Sequence, residues 1–305
     1  MNFTNNSNRV SPCRSLTGRS RRTPPQAMRS ASSWPVAVPS TLRVPAPVNY
    51  GVSSLQPQPM KTKSHVRFFS RAAHLDVDIE LADVMKISIQ GGLLSGAGSQ
   101  YIFDKVNPQQ HPRLASRANT TESRKLAANH LKATLCEAFL KNIYEDVSQY
   151  FLEILTAAAR NGLDPNRLIG EHKVTFDANT ILQARSWDKV VSLVAQSVFR
   201  KLENERSTKD LLEKMNGKLN LGVLQATIDS ALPYFEVRHL LVHSDGKADQ
   251  KFCSSFPTFG TTVGQKIKLD YVLLQNARTA ICQLVEEFDQ KIVANNVVAA
   301  NELQP

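Results

Sequence analysis

The sequence predicts an all-α fold for most of its 305 residues, and three observations support this prediction. Apolar residues from Leu126 to Leu155 keep the spacing of one helix face, with steps of three and four from Leu131 onward. Further runs with the same period follow, separated by Asn-Gly pairs and proline-containing stretches. No apolar run approaches the roughly 18 to 20 residues that a membrane span needs. We therefore expect a helical bundle without internal repeats over residues 119–297.

The first 75 residues differ in composition from the rest. They hold eleven Lys and Arg and no acid, whereas the remainder holds 26 basic residues against 27 acidic ones. Rich in Ser, Pro, Arg and Asn, residues 1–75 are expected to be a disordered extension. This extension could be a basic arm, an organellar transit peptide, or a segment outside the natural protein, with translation starting at Met60 or Met85. The last interpretation is favoured, and the arm is second.

Residues 76–118 are predicted to be a linker or a partly ordered segment. The stretch from Asp76 to Ile89 could form a strand or a short helix, and Pro108 and Pro112 indicate a loop. The glycines at 91–98 lack the Gly-Lys-Ser/Thr ending of a phosphate-binding loop, so nucleotide binding of that kind is not expected.

The helical region begins with a predicted capping box at Asn119 and Glu122. A helix, or two with a slight break, is expected to run to Arg160 and stop at Asn161-Gly162. The later predicted helices span residues 186–204, 207–215 (closed by Asn216-Gly217), 221–243 (kinked or divided by Pro233) and 269–293. Residues 298–305 are predicted to be a tail.

The most informative stretch of the chain lies at the end of the predicted helix 221–243. Arg238 and His243 are five residues apart, which places them about 140° apart around a helix axis. A guanidinium is a permanent cation suited to phosphate, and an imidazole can exchange a proton near neutral pH. His239 precedes His243 by four residues and therefore lies on the same face of the helix.

This motif, in its context, resembles the Arg-x4–6-His motif of the HEPN superfamily. The segments 242–249 and 264–269 also resemble HEPN proteins of the RiboL-PSP and bacterial-defence types, and the resemblance covers residues 119–297. It implies an HEPN-like helical bundle that acts as a metal-independent endoribonuclease, cleaving RNA through the ribose 2′-hydroxyl in defence or as a toxin.

The same resemblance implies the roles of the site residues. Arg238 and His243 would be catalytic, and His239 and Asp245 would support them. A homodimer with a composite active site, an antitoxin or other regulatory protein and a cytoplasmic location (organellar if residues 1–75 are a transit peptide) are expected, with no cofactor, no metal and no membrane.

Plainer interpretations of the same residues remain open. Arg238 and His243 could close a helix C-terminus, where cations interact favourably with the helix dipole. His239 and His243 could hold a metal, although a metalloprotease would need Glu where Leu240 stands. Asp245-Gly246 could be only a turn. The alternative function is a non-catalytic HEPN-like domain that binds RNA, a nucleotide or another protein. The four cysteines share no short spacing, which indicates reduced thiols.

Overall fold

The fold is a bundle of α-helices, seen in a computed structural model that describes residues 59–204 and 207–305. Within these ranges the α-helices are α1 (Lys63–Gln90), α2 (Pro112–Ala115), α3 (Thr121–Arg160), α4 (Pro165–Ile169), α5 (Ala178–Ala184), α6 (Trp187–Glu203), α7 (Thr208–Leu219), α8 (Gln225–His243), α9 (Gln250–Ser255) and α10 (Tyr271–Ala294). Two short strands, β1 (Lys61–Thr62) and β2 (Leu303–Gln304), and two 3₁₀ turns, Pro257–Phe259 and Ala300–Glu302, accompany them. The all-α prediction is confirmed. The part of the predicted basic extension that precedes residue 59 lies outside the described residues.

Helix α3 is the longest element of the described bundle and runs without a break for 40 residues, about 60 Å. The predicted inward positions Phe139, Ile143, Val147, Phe151 and Leu155 are all at most 3% exposed, whereas Leu126, at the start of the predicted pattern, is 68% exposed. The helix ends at Arg160 with Asn161 as its C-cap, as the Asn-Gly pair predicts. Among helices of the described ranges, none combines the length and the apolar character required to cross a membrane.

The predicted capping box at Asn119 and Glu122 is wrong by one residue. Thr120 is the N-cap of α3, and its hydroxyl accepts a hydrogen bond from the backbone N–H of Ser123 at 3.2 Å. The Asn119 side chain instead donates to the backbone carbonyl of Ser99 at 3.1 Å, which fastens the preceding loop to the start of the helix. Asn and Thr are both favoured at the N-cap position. Because the Asn119 side chain is bonded to the loop, Thr120 occupies the N-cap.

The largest correction concerns residues 63–75, which were predicted to belong to a disordered extension. Residues 76–90, predicted to be a linker or a partly ordered segment with a strand or short helix from Asp76 to Ile89, continue the same helix. Together these residues form α1, which begins at the N-cap Thr62 and packs along α3. Phe68 and Ala72 are each 1% exposed and belong to the main core with Tyr150. The apolar residues that face inward on α1 are separated by Ser, Ala, Arg and His, so the stretch resembles the low-complexity sequence that precedes it.

A buried carboxylate fixes the start of α1 to α10. Asp289 is fully buried, and it accepts hydrogen bonds from the backbone N–H of Thr62 at 3.2 Å and from its hydroxyl at 2.5 Å. The hydroxyl of Tyr150 on α3 also donates to Asp289, at 3.4 Å. A buried charge is tolerated when hydrogen bonds satisfy it, so these contacts make residues 61–72 an integral part of the bundle.

The predicted tail at 298–305 is likewise part of the fold. Strand β2 pairs with β1 in antiparallel register, with Lys61 opposite Gln304 and Thr62 opposite Leu303. Val298 is 5% exposed and belongs to the core. Two strands of two residues each produce little periodicity, which explains why the sequence pattern does not predict them.

Helices α6, α7, α8 and α10 follow the predicted order with shifted ends, whereas the short helices α4, α5 and α9 were not predicted. Helix α6 starts after Ser186, as predicted, whereas α7 continues through Asn216-Gly217 and ends at the left-handed C-cap Asn220. Helix α8 starts at Gln225 and is continuous through Pro233, so a division there is wrong. Asn216 faces the next loop instead of closing its helix, since its Oδ1 accepts from Val223 N–H at 3.0 Å.

A cleft that gathers Arg238, His239 and His243

Helix α8 runs through the interior of the bundle and carries the predicted site on its last two turns. It packs against α3, α7 and α10, and its buried side chains are Ile228, Ala231, Phe235, Val237 and Leu240. Arg238, His239 and His243 interrupt this apolar surface. All three line one cleft of about 220 Å³, whose other walls come from α3, the ends of α6 and α7, and α9.

The two histidines form one surface of the cleft. The His239 and His243 ring centroids are 4.5 Å apart with an interplanar angle of 46°. Both residues are exposed. Their separation of four residues on a continuous helix brings the rings together, as the sequence predicts. Two imidazoles are thus presented to solvent, beside a guanidinium on the same helix.

The Arg238 side chain lies between the core of the bundle and the cleft. Its guanidinium carbon lies 4.2 Å from the centroid of the Tyr144 ring on α3. The Nε atom is buried and has no hydrogen-bond partner. Glu203, Glu236 and Asp249 line the same cleft. In the described part of the chain, however, no carboxylate forms an ion pair or hydrogen bond with Arg238. An arginine that is half-buried and unpaired beside three carboxylates keeps its donors available for an anion.

Tyr144 supports Arg238 from the α3 side. Its ring also packs edge-on against Phe235, at 5.7 Å between centroids, so its position is set by the core. Burial raises the pKa of the Tyr144 hydroxyl, and the positive charge of Arg238 offsets part of that rise. The phenol is therefore neutral at physiological pH and offers Arg238 the face of an uncharged aromatic ring.

A tight turn ends α8 directly after His243. Asp245 and Gly246 both have positive φ, at 53° and 72°. The Gly246 N–H donates to the Leu240 carbonyl at 3.0 Å, which closes the helix end, and the Gly246 carbonyl accepts from Ile267 N–H at 2.9 Å. The turn therefore links the end of α8 to the segment before α10, and His243 lies at a fixed helix terminus.

Asp245 does not take part in the cleft, contrary to the supporting role predicted for it. Its side chain is 74% exposed and pairs with Lys266 at 2.9 Å. The hydrogen bond and the charge of Lys266 lower the pKa of this carboxyl. The reason for the error lies in the left-handed conformation of Asp245, which follows the helix end and turns the side chain away from His243.

The cleft contains functional candidates that sequence reasoning did not select. Tyr144, Glu203 and Lys251 come from three other helices, and Asp249, which caps α9 by accepting from Phe252 N–H at 2.7 Å, lies beside them. No spacing signal connects these positions to Arg238, because only the packing of the helices brings them together.

The described residues that line the cleft have nearly balanced charges. Among them, three carboxylates (Glu203, Glu236 and Asp249) face two basic side chains (Arg238 and Lys251), besides the two imidazoles. His239 and His243 are a possible pair of metal ligands, but the described residues bring no third His, Cys, Asp or Glu to them. Comparison of the chain with family models, curated proteins and solved structures gives no match. Functional assignment therefore depends on the chemistry of this cleft.

Proposed function

We propose that this protein is a metal-independent endoribonuclease of the HEPN type. The observation that carries the proposal is the meeting, in one cleft, of an unpaired guanidinium with two exposed imidazoles. Cleavage of RNA by its own 2′-hydroxyl needs a stabiliser for phosphate charge and groups that move two protons. Arg238 and His243 have these chemistries. A defence or toxin role, an antitoxin partner and a cytoplasmic location belong to the same proposal.

Arg238 would bind the scissile phosphate. Its two terminal nitrogens can donate in parallel to two non-bridging oxygens, and such charge-assisted bonds strengthen as negative charge develops in the transition state. The Tyr144 ring, 4.2 Å from the guanidinium carbon, would limit the positions that these donors can take. Fixing the donors before substrate binds reduces the reorganisation that would otherwise accompany the reaction.

His243 would move one proton of the reaction. As general base it takes the proton of the 2′-hydroxyl while the 2′-oxygen bonds to phosphorus. As general acid it gives a proton to the 5′-oxygen while the bond between that oxygen and phosphorus breaks. The products are a 2′,3′-cyclic phosphate and a free 5′-hydroxyl. Atoms and protons balance without an external reactant.

The contact between His239 and His243 limits which proton transfers the two imidazoles can carry out. Rings with centroids 4.5 Å apart are in van der Waals contact, so a phosphate cannot lie between them. In an in-line displacement, however, the attacking and leaving oxygens are on opposite sides of phosphorus. The pair of imidazoles therefore serves one of these oxygens. The other oxygen needs a group from elsewhere, and His243 of a second copy in a homodimer is the group that we propose.

A second candidate is supported by the charge balance of the cleft. Affinity for RNA depends on how many phosphates meet Lys or Arg, and among the described lining residues three carboxylates offset the two basic side chains. A domain of this fold that binds RNA or a nucleotide without cleaving it, or that binds another protein, is the alternative. This alternative predicts binding without cleavage, or substitutions that change only the melting temperature. The first candidate predicts an RNA cleavage product.

The deciding experiment is a cleavage assay on the full chain in EDTA, with identification of the end groups of the product. The proposal expects a 2′,3′-cyclic phosphate, and it expects Arg238→Ala and His243→Ala to remove cleavage while both variants remain folded by circular dichroism. Asp245→Asn is the matched control on the adjacent turn. It removes a carboxylate outside the cleft, retains a side chain that tolerates positive φ, and should cleave at the wild-type rate.

The outcomes separate the candidates. Cleavage that persists unchanged in both cleft variants would show that Arg238 and His243 are not the site. Salt-sensitive RNA binding without product would select the non-catalytic candidate. Altered melting temperatures with neither binding nor product would leave a helical interaction domain.

A further inference from the structure

The cleft contains a carboxylate without a partner on the same helix as Arg238 and His243. Glu236 is half-buried and lines the cleft. Among the described residues, none donates a hydrogen bond to its carboxylate or forms an ion pair with it, although Lys251 lines the same cleft. A half-buried carboxylate has lost part of its hydration, and nothing in the described bundle replaces that hydration. Glu236 is therefore available to a ligand that supplies N–H donors.

The geometry of α8 sets the order of the polar groups across the cleft. At about 100° per residue, Glu236 and Arg238 lie about 160° apart around the helix axis. His239 and His243 lie between them, about 60° and 20° from Glu236. The imidazoles therefore separate the guanidinium from the carboxylate. Because a helix with its side chains is about 10–12 Å across, the two charged groups start from sides of α8 that are roughly 10 Å apart.

A ligand that fills this cleft must combine an anion with N–H donors. The anion fits Arg238, whose Nε is buried without a hydrogen-bond partner, and the donors fit Glu236. A ribonucleotide has its groups in the matching order of phosphate, ribose and base. With the phosphate at Arg238, the ribose hydroxyls lie at the imidazoles and the edge of the base reaches Glu236. This step rests on the proposed function, which assigns the phosphate to Arg238.

The two oxygens of a carboxylate discriminate among the four bases of RNA. Guanine offers two parallel donors, the ring N1–H and the N2 amino group, and both oxygens can accept from it at once. Adenine and cytosine place an acceptor nitrogen beside their amino group, and this nitrogen repels the second oxygen. Uracil has one N–H between two carbonyl oxygens. Guanine alone therefore pairs both oxygens without opposing two acceptors.

We propose that Glu236 recognises the base and that the cleft takes a guanine nucleotide, with its phosphate at Arg238. Guanine would then adjoin the scissile phosphate of the RNA. The other two carboxylates among the described lining residues fit less well. The Oδ1 atom of Asp249 accepts from Phe252 N–H at 2.7 Å, which leaves one free oxygen. Glu203 is exposed and also lines a neighbouring cavity between α3 and α6.

The first test measures binding of nucleoside 3′,5′-bisphosphates to the full chain. These probes carry a phosphate on either side of the ribose and have no bond that the reaction can cleave. The guanosine compound should bind about 5- to 150-fold more tightly than the adenosine compound, which is the discrimination of a bidentate base contact. The inosine compound lacks the N2 amino group and should have an intermediate affinity.

Substitutions assign this preference to one residue. Glu236→Gln keeps the shape of the side chain but replaces one acceptor with a donor, and it should remove the preference for guanosine. Arg238→Ala should weaken all three compounds alike, because they share the phosphates. Glu145→Gln is the matched control. It makes the same substitution beside Tyr144 on α3, at an exposed carboxylate that is not among the described lining residues, and it should retain the preference.

The second test uses RNA oligonucleotides that contain a single guanosine in an otherwise uniform sequence. The wild type should cut at the phosphates that adjoin the guanosine. Glu236→Gln should cut without this preference, since Arg238 and His243 are intact.

The outcomes distinguish this inference from the proposed function. Equal affinity for the guanosine and adenosine compounds would overturn the base assignment, even if Arg238→Ala abolished binding and so supported the phosphate site. A guanosine preference that Glu236→Gln retains would place base recognition elsewhere. Guanosine-selective binding that requires Glu236, without RNA cleavage, would support the inference and remove only the proposed cleavage.

A protein ligand is the alternative occupant of the cleft. Failure of all three compounds to bind would overturn the inference. If a peptide rich in Lys and Arg then bound, and Glu236→Gln weakened that binding, the carboxylate would serve a basic protein partner instead of a base.

Discussion

The guanidinium of Arg238 lies over the ring of Tyr144, 4.2 Å from its centroid, although the two residues come from helices that are far apart in the sequence. The contact supports Arg238, the only arginine among the described residues that line the cleft, from an element that the core fixes independently. A flexible side chain that must bind phosphate in one orientation gains from such support, since less conformational freedom is lost on binding.

Tyr144 should therefore affect catalysis through Arg238. We expect Tyr144→Leu to reduce kcat/KM by about 2- to 30-fold, which corresponds to the loss of a cation–π contact of about 0.5–2 kcal/mol. Tyr144→Phe retains the aromatic face and should stay within about twofold of the wild type. The measurement is the rate of RNA cleavage, with unfolding curves to confirm that both variants are folded.

A double variant separates support of Arg238 from general loss of structure. In an Arg238→Ala background, Tyr144→Leu should cause no further loss of cleavage, because the group that it positions is absent. An equal loss in both backgrounds would assign Tyr144 a purely structural role. If Arg238→Ala itself retained full activity, the proposed function would fail before the role of Tyr144 was tested.

Gly246 should be required by the turn that follows His243. It has φ of +72°, and an added Cβ would lie 3.2 Å from the Leu241 side chain. Gly246→Ala should lower the free energy of unfolding by about 1–2 kcal/mol, the cost of a left-handed conformation for an L-residue.

Gly217→Ala is a control that should change the free energy of unfolding in the opposite direction. It lies inside α7 with no atom within 4 Å of the added Cβ, and it should stabilise by about 0.5–1 kcal/mol. Chemical denaturation measures both, and a neutral Gly246→Ala would contradict the role of the turn.

The sequence indicates those features that depend on local pattern. Strong helical periodicity predicts α3, α6 and α10, and the spacing of Arg238, His239 and His243 predicts that they share one end of a helix. Tyr144 and Lys251 could not be predicted, because their approach to Arg238 is set by long-range packing. Asp245 was assigned wrongly because a turn one or two residues long decides the direction of its side chain.

Helix α1 shows a different limit of sequence interpretation. Its inner positions include small and polar residues such as Ser64, His65 and Ala72, which bury well against α3 and α10 but carry a weak hydrophobic signal. Its composition continues that of the segment before it. A buried hydrogen-bond partner such as Asp289, more than 200 residues away, cannot be recognised from local periodicity.

Removing the first part of α1 should unfold the bundle. A chain that starts at Met85 lacks Thr62, Phe68 and Ala72, leaving Asp289 without its two hydrogen bonds from Thr62 and Tyr150 beside a void. We expect it to lose cooperative unfolding, whereas a chain that starts at Met60 retains it. Thermal denaturation followed by circular dichroism tests the comparison, and a cooperative transition in the shorter chain would contradict it.

A point substitution in α1 tests the packing of this helix against the core without removing any residues. Phe68→Ala should lower the free energy of unfolding by about 3–5 kcal/mol, as expected for a fully buried aromatic ring. Leu182→Ala removes an apolar side chain that is 76% exposed, and it should change stability by less than about 0.5 kcal/mol. Similar effects of the two substitutions would show that the packing of α1 contributes little.

Glu286 should make the docking of α1 sensitive to acid. Burial alone would raise the pKa of this carboxyl, but hydrogen bonds from Lys61, Gln290 and His65 outweigh it and lower the pKa to about 2. The His65 Nε2 atom lies 2.6 Å from the carboxylate. Because the folded pKa lies below the ordinary value of 4.5, the stabilising contribution is present above pH 4.5 and is lost as the pH falls from 4.5 to about 2.

The variant Glu286→Gln removes this titration. It should be less stable than the wild type at pH 7, and the difference should disappear as the pH falls through that window, because the wild-type carboxyl is then protonated. Glu171→Gln is the control, since its carboxylate also pairs with a lysine, Lys214, but is 66% exposed and should contribute little. Urea denaturation at a series of pH values measures the difference. A gap between Glu286→Gln and the wild type that stays constant down to pH 2 would show that the ion pairs of Glu286 do not hold α1 in place.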